Sequence, residues 1–377
     1  MNILMLNFEF PPIGGGGANA SRQLLLQYAG RGDLSLDVLT SAPKPGLVKE
    51  QLTGNVTIYK VGIHKKSLQF WRKSEVIEWL IKAGFHYRRL LRENKYDLAH
   101  AFFGFPTGWL CERSAAKLPY IISLRGSDVP GGHTRLQLDY KILAPVFKAI
   151  WKKACVLVTP SQALKQRALN FLPGVNIEVI PNGVDLERFS PAMLPARPDN
   201  LRLVSVGRLS ATKRIELLID AVEILVKDGC KIHLSIVGEG AEQNRLAQMI
   251  SDKRIGHCIE MKGFVGSADM PGIYRDSDIY ISASMQEGMS NAMLEAMASG
   301  LPIITTRCEG VDELIADNGI VLEQAEAGLM AEAIKKLAGD RLLLGKMSLS
   351  ARRQAEQFTW PCVAKQYIEC YQKVLSS

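Results

Sequence analysis

The sequence contains no C-x2-C pair. Its seven cysteines, at positions 111, 155, 230, 258, 308, 362 and 370, are scattered. That pattern argues against a zinc site or a disulfide framework and for free, mostly core thiols in a reducing compartment. No apolar run approaches the roughly 18 residues of a membrane span. Residues 1–10 have no basic leader, and Asn7 and Glu9 interrupt their short apolar run, so a cytoplasmic protein is expected. No cluster of Asp, Glu and His has ligand spacing. Asp276-Ser-Asp278 is the nearest approach, but it precedes a strand, whereas a metal-binding pair belongs after one. No metal and no cofactor are expected. Apolar content of 47% and charged content of 22% are those of an ordinary globular protein, and 377 residues suffice for two domains.

Charge is unevenly spread. The formal net charge is +8, and residues 64–95 hold nine Lys/Arg against three acids. Phe70, Trp71, Trp79, Phe85 and Tyr87 are interleaved with them. A basic amphipathic helix with aromatics suits a peripheral place on an anionic membrane surface. A solvated basic face over an aromatic core face is the simpler alternative. Nucleic acid is not expected, because no nucleic-acid-binding motif accompanies the charge.

Along the chain, strand-like and helix-like segments alternate. In the first half the expected strands are 2–8, 36–40, 57–61, 97–102, 120–124, 155–159 and 177–180. Helices are expected at 18–29, through the basic segment, at 107–116, at 136–153 around Pro145, and at 161–171. Pro181-Asn-Gly-Val-Asp185 follows, with Pro191, Pro195 and Pro198 after it, and this seam is the best domain boundary. The alternation then restarts at residue 203. Such alternation argues for two parallel sheets covered on both faces, an α/β, doubly wound arrangement whose domains face a cleft.

The chain is organised around Glu287-Gly-Met-Ser-Asn-Ala-Met-Leu-Glu295-Ala-Met-Ala-Ser-Gly-Leu-Pro302. Residues 278–284 read as a strand and 291–299 as a helix stopped by Gly300 and Pro302. Ser290 or Asn291 can cap the helix, and the remaining N–H groups near Ala292 and Met293 form a ready phosphate site. Glu287 and Glu295 straddle this helix start. Carboxylates beside a phosphate site can accept hydrogen bonds from the hydroxyls of a sugar and a ribose, although Glu residues at dipole-favoured positions of a surface helix would look the same. Val206-Gly-Arg-Leu-Ser-Ala-Thr-Lys213 ends another strand. There Arg208 and Lys213 can neutralise a departing diphosphate, or be ordinary surface cations. Gly238 closes the following strand. Near the start, Gly15, Gly16 and Gly17 leave room for a ligand; an NAD fingerprint is set aside, because no acid ends the second strand. His100 ends a strand expected at the cleft, where a lone histidine is more often structural.

These residues resemble the E-x7-E signature and accompanying motifs of retaining GT-B glycosyltransferases of family 4, over nearly the whole chain. The resemblance implies a sugar moved from a UDP-, GDP- or ADP-sugar to a hydroxyl of a glycan or lipid-linked acceptor, in cell-surface polysaccharide or glycolipid synthesis. It implies that Arg208 and Lys213 hold the diphosphate, that Glu287 lies near the donor sugar and Glu295 on the ribose, and that Gly15–Gly17 border the phosphates and acceptor. It also implies a backbone contact from Val265 to the base. Residues 1–182 with 358–377 would form the acceptor-binding domain, with a returning helix after Phe358-Thr-Trp360, and 183–357 the nucleotide-sugar domain. Ser123-Leu-Arg-Gly-Ser-Asp128 departs from the pattern: Arg125 stands where many relatives have histidine. Arg125 and Asp128 would then orient phosphate or acceptor, with His100 and His133 as further acceptor contacts. A nucleotide-sugar 2-epimerase on the same architecture and a non-catalytic sugar- or membrane-binding protein are the alternatives.

Overall fold

The computed structural model describes residues 1–68, 70–131, 137–192 and 200–376. His133, Pro195 and Pro198 lie outside them. The chain divides into two compact units, Met1–Asn182 with Trp360–Ser377, and Gly183–Thr359.

In the first unit the chain runs β1 (Asn2–Leu6), α1 (Gly16–Gln27), β2 (Ser35–Ala42), β3 (Leu47–Thr53), β4 (Val56–Gly62), α2 (Lys73–Glu93), β5 (Leu98–Phe102), α3 (Thr107–Glu112), β6 (Tyr120–Ser123), α4 (Gln137–Lys153), β7 (Val156–Thr159), α5 (Gln162–Phe171) and β8 (Ile177–Val179). The sheet order is β3-β4-β2-β1-β5-β6-β7-β8. All pairings are parallel except that of β3 with β4. In the central strand β1 the run Ile3-Leu-Met-Leu6 is continuously apolar and fully buried, because both of its faces are covered. The antiparallel β3 was not expected. Its Leu-Val-Lys-Glu-Gln-Leu-Thr sequence is mostly exposed at the sheet edge, so nothing in it alternates as a half-buried strand would.

The second unit runs β9 (Leu201–Val206), α6 (Ile215–Lys227), β10 (Ile232–Val237), α7 (Gln243–Asp252), β11 (Ile259–Gly263), α8 (Met270–Arg275), β12 (Ile279–Ser282), α9 (Asn291–Ala298), β13 (Ile303–Thr306), α10 (Val311–Leu314), β14 (Gly319–Leu322), α11 (Ala327–Gly339) and α12 (Arg341–Ala355). Its sheet order is β11-β10-β9-β12-β13-β14, with parallel pairings throughout. One apolar cluster joins α6, α7 and α11 to the sheet, and another joins α8, α9 and α12 to it.

The last helix, α13 (Trp360–Ser376), belongs to the first unit, where Trp360, Val363, Tyr367 and Tyr371 enter its core. No helix among the described residues is long and apolar enough to cross a membrane.

In each sheet the winding direction reverses once: between β1 and β5 in the first, and between β9 and β12 in the second. The loops leaving the two strands at such a point diverge, and the crevice between them at the strands' carboxyl ends is where open α/β sheets take ligands.

Candidate functional site

The loops after β9 and β12 meet at the second unit's switch point. Met285 N donates to Thr212 O at 2.8 Å, joining the two loops through their backbones. Lys213 Nζ donates to Glu287 Oε1, and Ser284 Oγ donates to the same oxygen at 3.1 Å. Both Lys213 and Glu287 side chains are mostly but not fully buried, at 22% and 17% exposure. A Cβ built on Gly207 would lie 3.4 Å from Lys213 Nζ, so the ammonium folds back over that turn. Arg208 is exposed in the same loop.

The helix α9 starts beside this pair. Ser290 is its cap, with Oγ accepting from Met293 N at 3.3 Å. The cap satisfies one orphan donor of the first turn, which Asn291 and Ala292 share, and the helix dipole adds partial positive charge there. Glu295 lies one turn in. Tyr274 donates to its Oε2 at 2.9 Å. Burial raises the Glu295 carboxyl to about 7, against Tyr274 and the nearby Arg188, which both favour the anion.

Gly238 and Val265 follow the neighbouring strands β10 and β11. Gly238 has φ of +132°, and a Cβ on it would lie 2.0 Å from Gly207 O. Glycine is therefore required where the loops after β9 and β10 pack backbone to backbone. Val265 is half-buried against the α9 cluster. Asp278 Oδ2 accepts from Arg202 N at 2.8 Å, at the amino-terminal end of β12 and away from this crevice. Among the described residues no group of three His, Cys, Asp or Glu side chains is arranged to hold a metal.

Sequence reasoning missed Arg214. It caps α6 in the left-handed region, with φ of 48°. Its Nε donates to Ala283 O at 2.6 Å and its Nη2 to Thr306 Oγ1 at 3.0 Å. One guanidinium thus links the ends of β12 and β13 to the start of α6. The R-L-x-x-x-K spacing drew attention to its neighbour, and nothing local marks Arg214 as a tether. Tyr274 was missed for the same reason: it is 21 residues from the carboxylate it meets.

In the first unit, α1 begins at Gly16 with Gly15 as its cap, so Gly16 and Gly17 form its first turn rather than a loop ahead of it. A Cβ on Gly17 would lie 2.9 Å from the Phe103 ring, so the close approach here is to the protein itself. At the end of β6, Arg125 Nη2 donates to Asn182 Oδ1 at 2.7 Å. Asp128 accepts from Gly104 N at 2.7 Å and Arg125 N at 2.8 Å. Burial raises its pKa against these bonds. Both oxygens serve the loop, so Asp128 positions Arg125 rather than offering a bare carboxylate.

His100 requires a correction. It is fully buried, with Nδ1 hydrogen-bonded to Tyr371 at 2.8 Å and Nε2 to Ser123 at 2.7 Å. Ser123 Oγ also meets Tyr367 at 2.8 Å. Burial, and secondarily Arg125, lower the imidazole to about 3, so it is neutral. A residue so enclosed does not contact an acceptor; it ties β5 and β6 to α13.

Comparison with known proteins places both halves of the chain. The description "Glycosyltransferase Family 4" matches residues 14–188, and "Glycosyl transferases group 1" matches residues 200–340. The chain belongs to the group 1 glycosyltransferases. Within that family it is 24% identical to an uncharacterized glycosyltransferase of Methanocaldococcus jannaschii over 98% of both chains. Sucrose-phosphate synthase from Thermosynechococcus elongatus superposes with a TM-score of 0.84 at 20% identity, over 100% of this chain and 99% of that one. Anabaena HepE in complex with UDP-glucose superposes with a TM-score of 0.75 at 19% identity, over 99% and 100%. The fold of this glycosyltransferase is GT-B, with two Rossmann-like units.

Proposed function

We propose that the protein is a retaining, metal-independent hexosyltransferase that works in the cytoplasm. In this reading it moves a sugar from a nucleoside-diphosphate donor to a hydroxyl of a glycan or lipid-linked acceptor, in cell-surface polysaccharide or glycolipid synthesis. The observation that carries the reading is the meeting of Lys213, Glu287 and the α9 start at one switch point. The UDP-glucose bound by the Anabaena neighbour makes a UDP-sugar the first donor to test.

Lys213, Arg208 and the N–H groups at Asn291 and Ala292 hold the diphosphate and stabilise the charge that grows on it as its bond to the sugar C1 breaks. Glu287 accepts from the donor sugar's hydroxyls. Glu295, oriented by Tyr274, accepts from the ribose. The acceptor oxygen forms its bond to C1 on the face the diphosphate leaves, and its proton passes to the departing phosphate oxygen. No protein base is needed, which suits Arg125 at the position where a histidine would be expected. Arg125, held by Asn182 and Asp128, orients the acceptor or a phosphate.

The test is a panel of UDP-, GDP- and ADP-sugars with simple acceptors, read by NMR for the anomeric configuration of the product. Transfer with the donor's configuration kept supports the reading. An inverted product overturns retention. Donor turnover to an epimer with no acceptor present overturns transfer.

A further inference from the structure

The exposed side of the basic helix α2 is not polar throughout. Trp79, Ala83, Tyr87 and Leu90 turn inward and are buried. Yet Ile77, Ile81 and Phe85, spaced four residues apart, form a row on the outside with exposures of 57%, 70% and 66%. Residues four apart on a helix stack into one ridge. Leu68 and Phe70, just before the helix, are also exposed. Scattered exposed apolar residues are ordinary, but a contiguous row is not.

Beside this row runs a groove of about 580 Å³ between α2 and α3. Leu80, Leu91 and Trp109 contribute to its apolar lining, and Arg88 and Arg113 to its charge; none of the lining residues is acidic. Arg113 lies over the Trp109 ring, 4.1 Å from the centroid. Arg92 follows one turn beyond Arg88. The nearby acids are neutralised within the protein: Glu78 pairs with Lys82 at 2.6 Å and Glu93 with Arg89 at 2.7 Å.

We propose that this α2–α3 face docks on an anionic lipid bilayer. Ile77, Ile81 and Phe85 enter the boundary between headgroups and acyl chains. Trp109 lies at headgroup depth, and Arg88, Arg92 and Arg113 meet lipid phosphates. The charge argues for this occupant. A second copy of a chain with net charge +8 would bring the same cations face to face, whereas an anionic surface is complementary to them. An apolar row with cations along one side is the pattern of a helix lying in an interface. The inference goes beyond the transfer reaction and does not depend on it.

The experiment is flotation of the full chain with phosphatidylcholine vesicles and with vesicles also containing phosphatidylglycerol. The wild type is expected to float with the second and hardly with the first, and to be released by salt. Ile81→Ser with Phe85→Ser should weaken binding about tenfold per side chain. Arg88→Ser with Arg113→Ser should weaken it about fivefold per cation and reduce the salt dependence. All four side chains lie at the surface or line an open groove, and an unchanged melting temperature checks that the variants fold; Ile77→Ser is the replacement if one does not. Equal flotation with both vesicle types, no flotation, or variants that bind like the wild type would overturn the proposal. So would a concentration-dependent dimer abolished by the Ile81 and Phe85 changes.

Discussion

Lys213 and Ser284 converge on a single oxygen, Oε1 of Glu287, so the principal cation of the second unit's switch point is held by its principal acid. In the proposed reaction, this pair neutralises itself until a diphosphate arrives. A ligand with two charged phosphates offers the ammonium more acceptor atoms than one carboxylate does, and the released carboxylate is then free to accept from a sugar.

Lys213→Ala should therefore lower kcat about 100- to 1,000-fold and remove the melting-temperature rise that UDP produces. Glu287→Gln should lower transfer while retaining the UDP shift, because it removes the sugar contact and the Lys213 ion pair but none of the groups assigned to the diphosphate. Thermal shift beside initial-rate measurements separates the two. An unchanged rate in Lys213→Ala would reject its assigned place.

Glu295 brings a pH dependence with a definite sign. Its carboxyl is raised from an ordinary 4.5 to about 7 in the folded protein, chiefly by burial. Between those values the folded state binds the additional proton, so stability falls as pH rises through this window. Glu295→Gln should flatten that part of the profile and stabilise the protein above pH 7 by about 1–3 kcal/mol. It should also weaken UDP binding if the ribose contact holds. Melting curves at several pH values with and without UDP check both.

Arg214 combines strained backbone with a tether. Arg214→Ala should lose the links to Ala283 and Thr306 while keeping the left-handed residue. Arg214→Gly loses the same links but relieves the backbone, and should be more stable than the alanine variant by about 1 kcal/mol. Both should raise KM for the donor, because the β12 loop that carries Glu287 loses a support. Arg214→Lys should restore part of the KM if the link to Ala283 O is what matters.

His100 should matter for stability and not for the pH profile of transfer. Its imidazole is lowered from 6.5 to about 3, so the folded state excludes a proton that the unfolded chain binds. Stability is complete above pH 6.5 and is lost as pH falls through that window, by at most roughly 5 kcal/mol. His100→Phe should remove this acid sensitivity but destabilise the protein at pH 7, since Tyr371 and Ser123 lose a partner. The pH dependence of kcat between 6 and 8 should be unchanged.

Much of the second unit was legible along the chain. The helix after Glu287 was expected at 291–299 and runs Asn291–Ala298, with Ser290 as its cap. Apolar runs, glycine stops and a capping serine act within a few residues of each other, so they survive as local pattern. Edge strand β3 was illegible because its polar, exposed residues carry no alternation.

What the sequence determined by itself was the alternation of strands and helices, the seam after Pro181, and which loops carry cations, acids and glycines; these follow from short-range periodicity and turn chemistry. Tertiary structure alone decided that Lys213 meets Glu287 across 74 residues. It likewise decided that His100 is enclosed by a tyrosine 271 positions away, and that α2 turns its tryptophan inward and leaves Ile77, Ile81 and Phe85 outside. The reason is geometric. A parallel sheet gathers the ends of strands that are remote in sequence, and a helix with apolar residues on two sides can bury only the one that fits its neighbours.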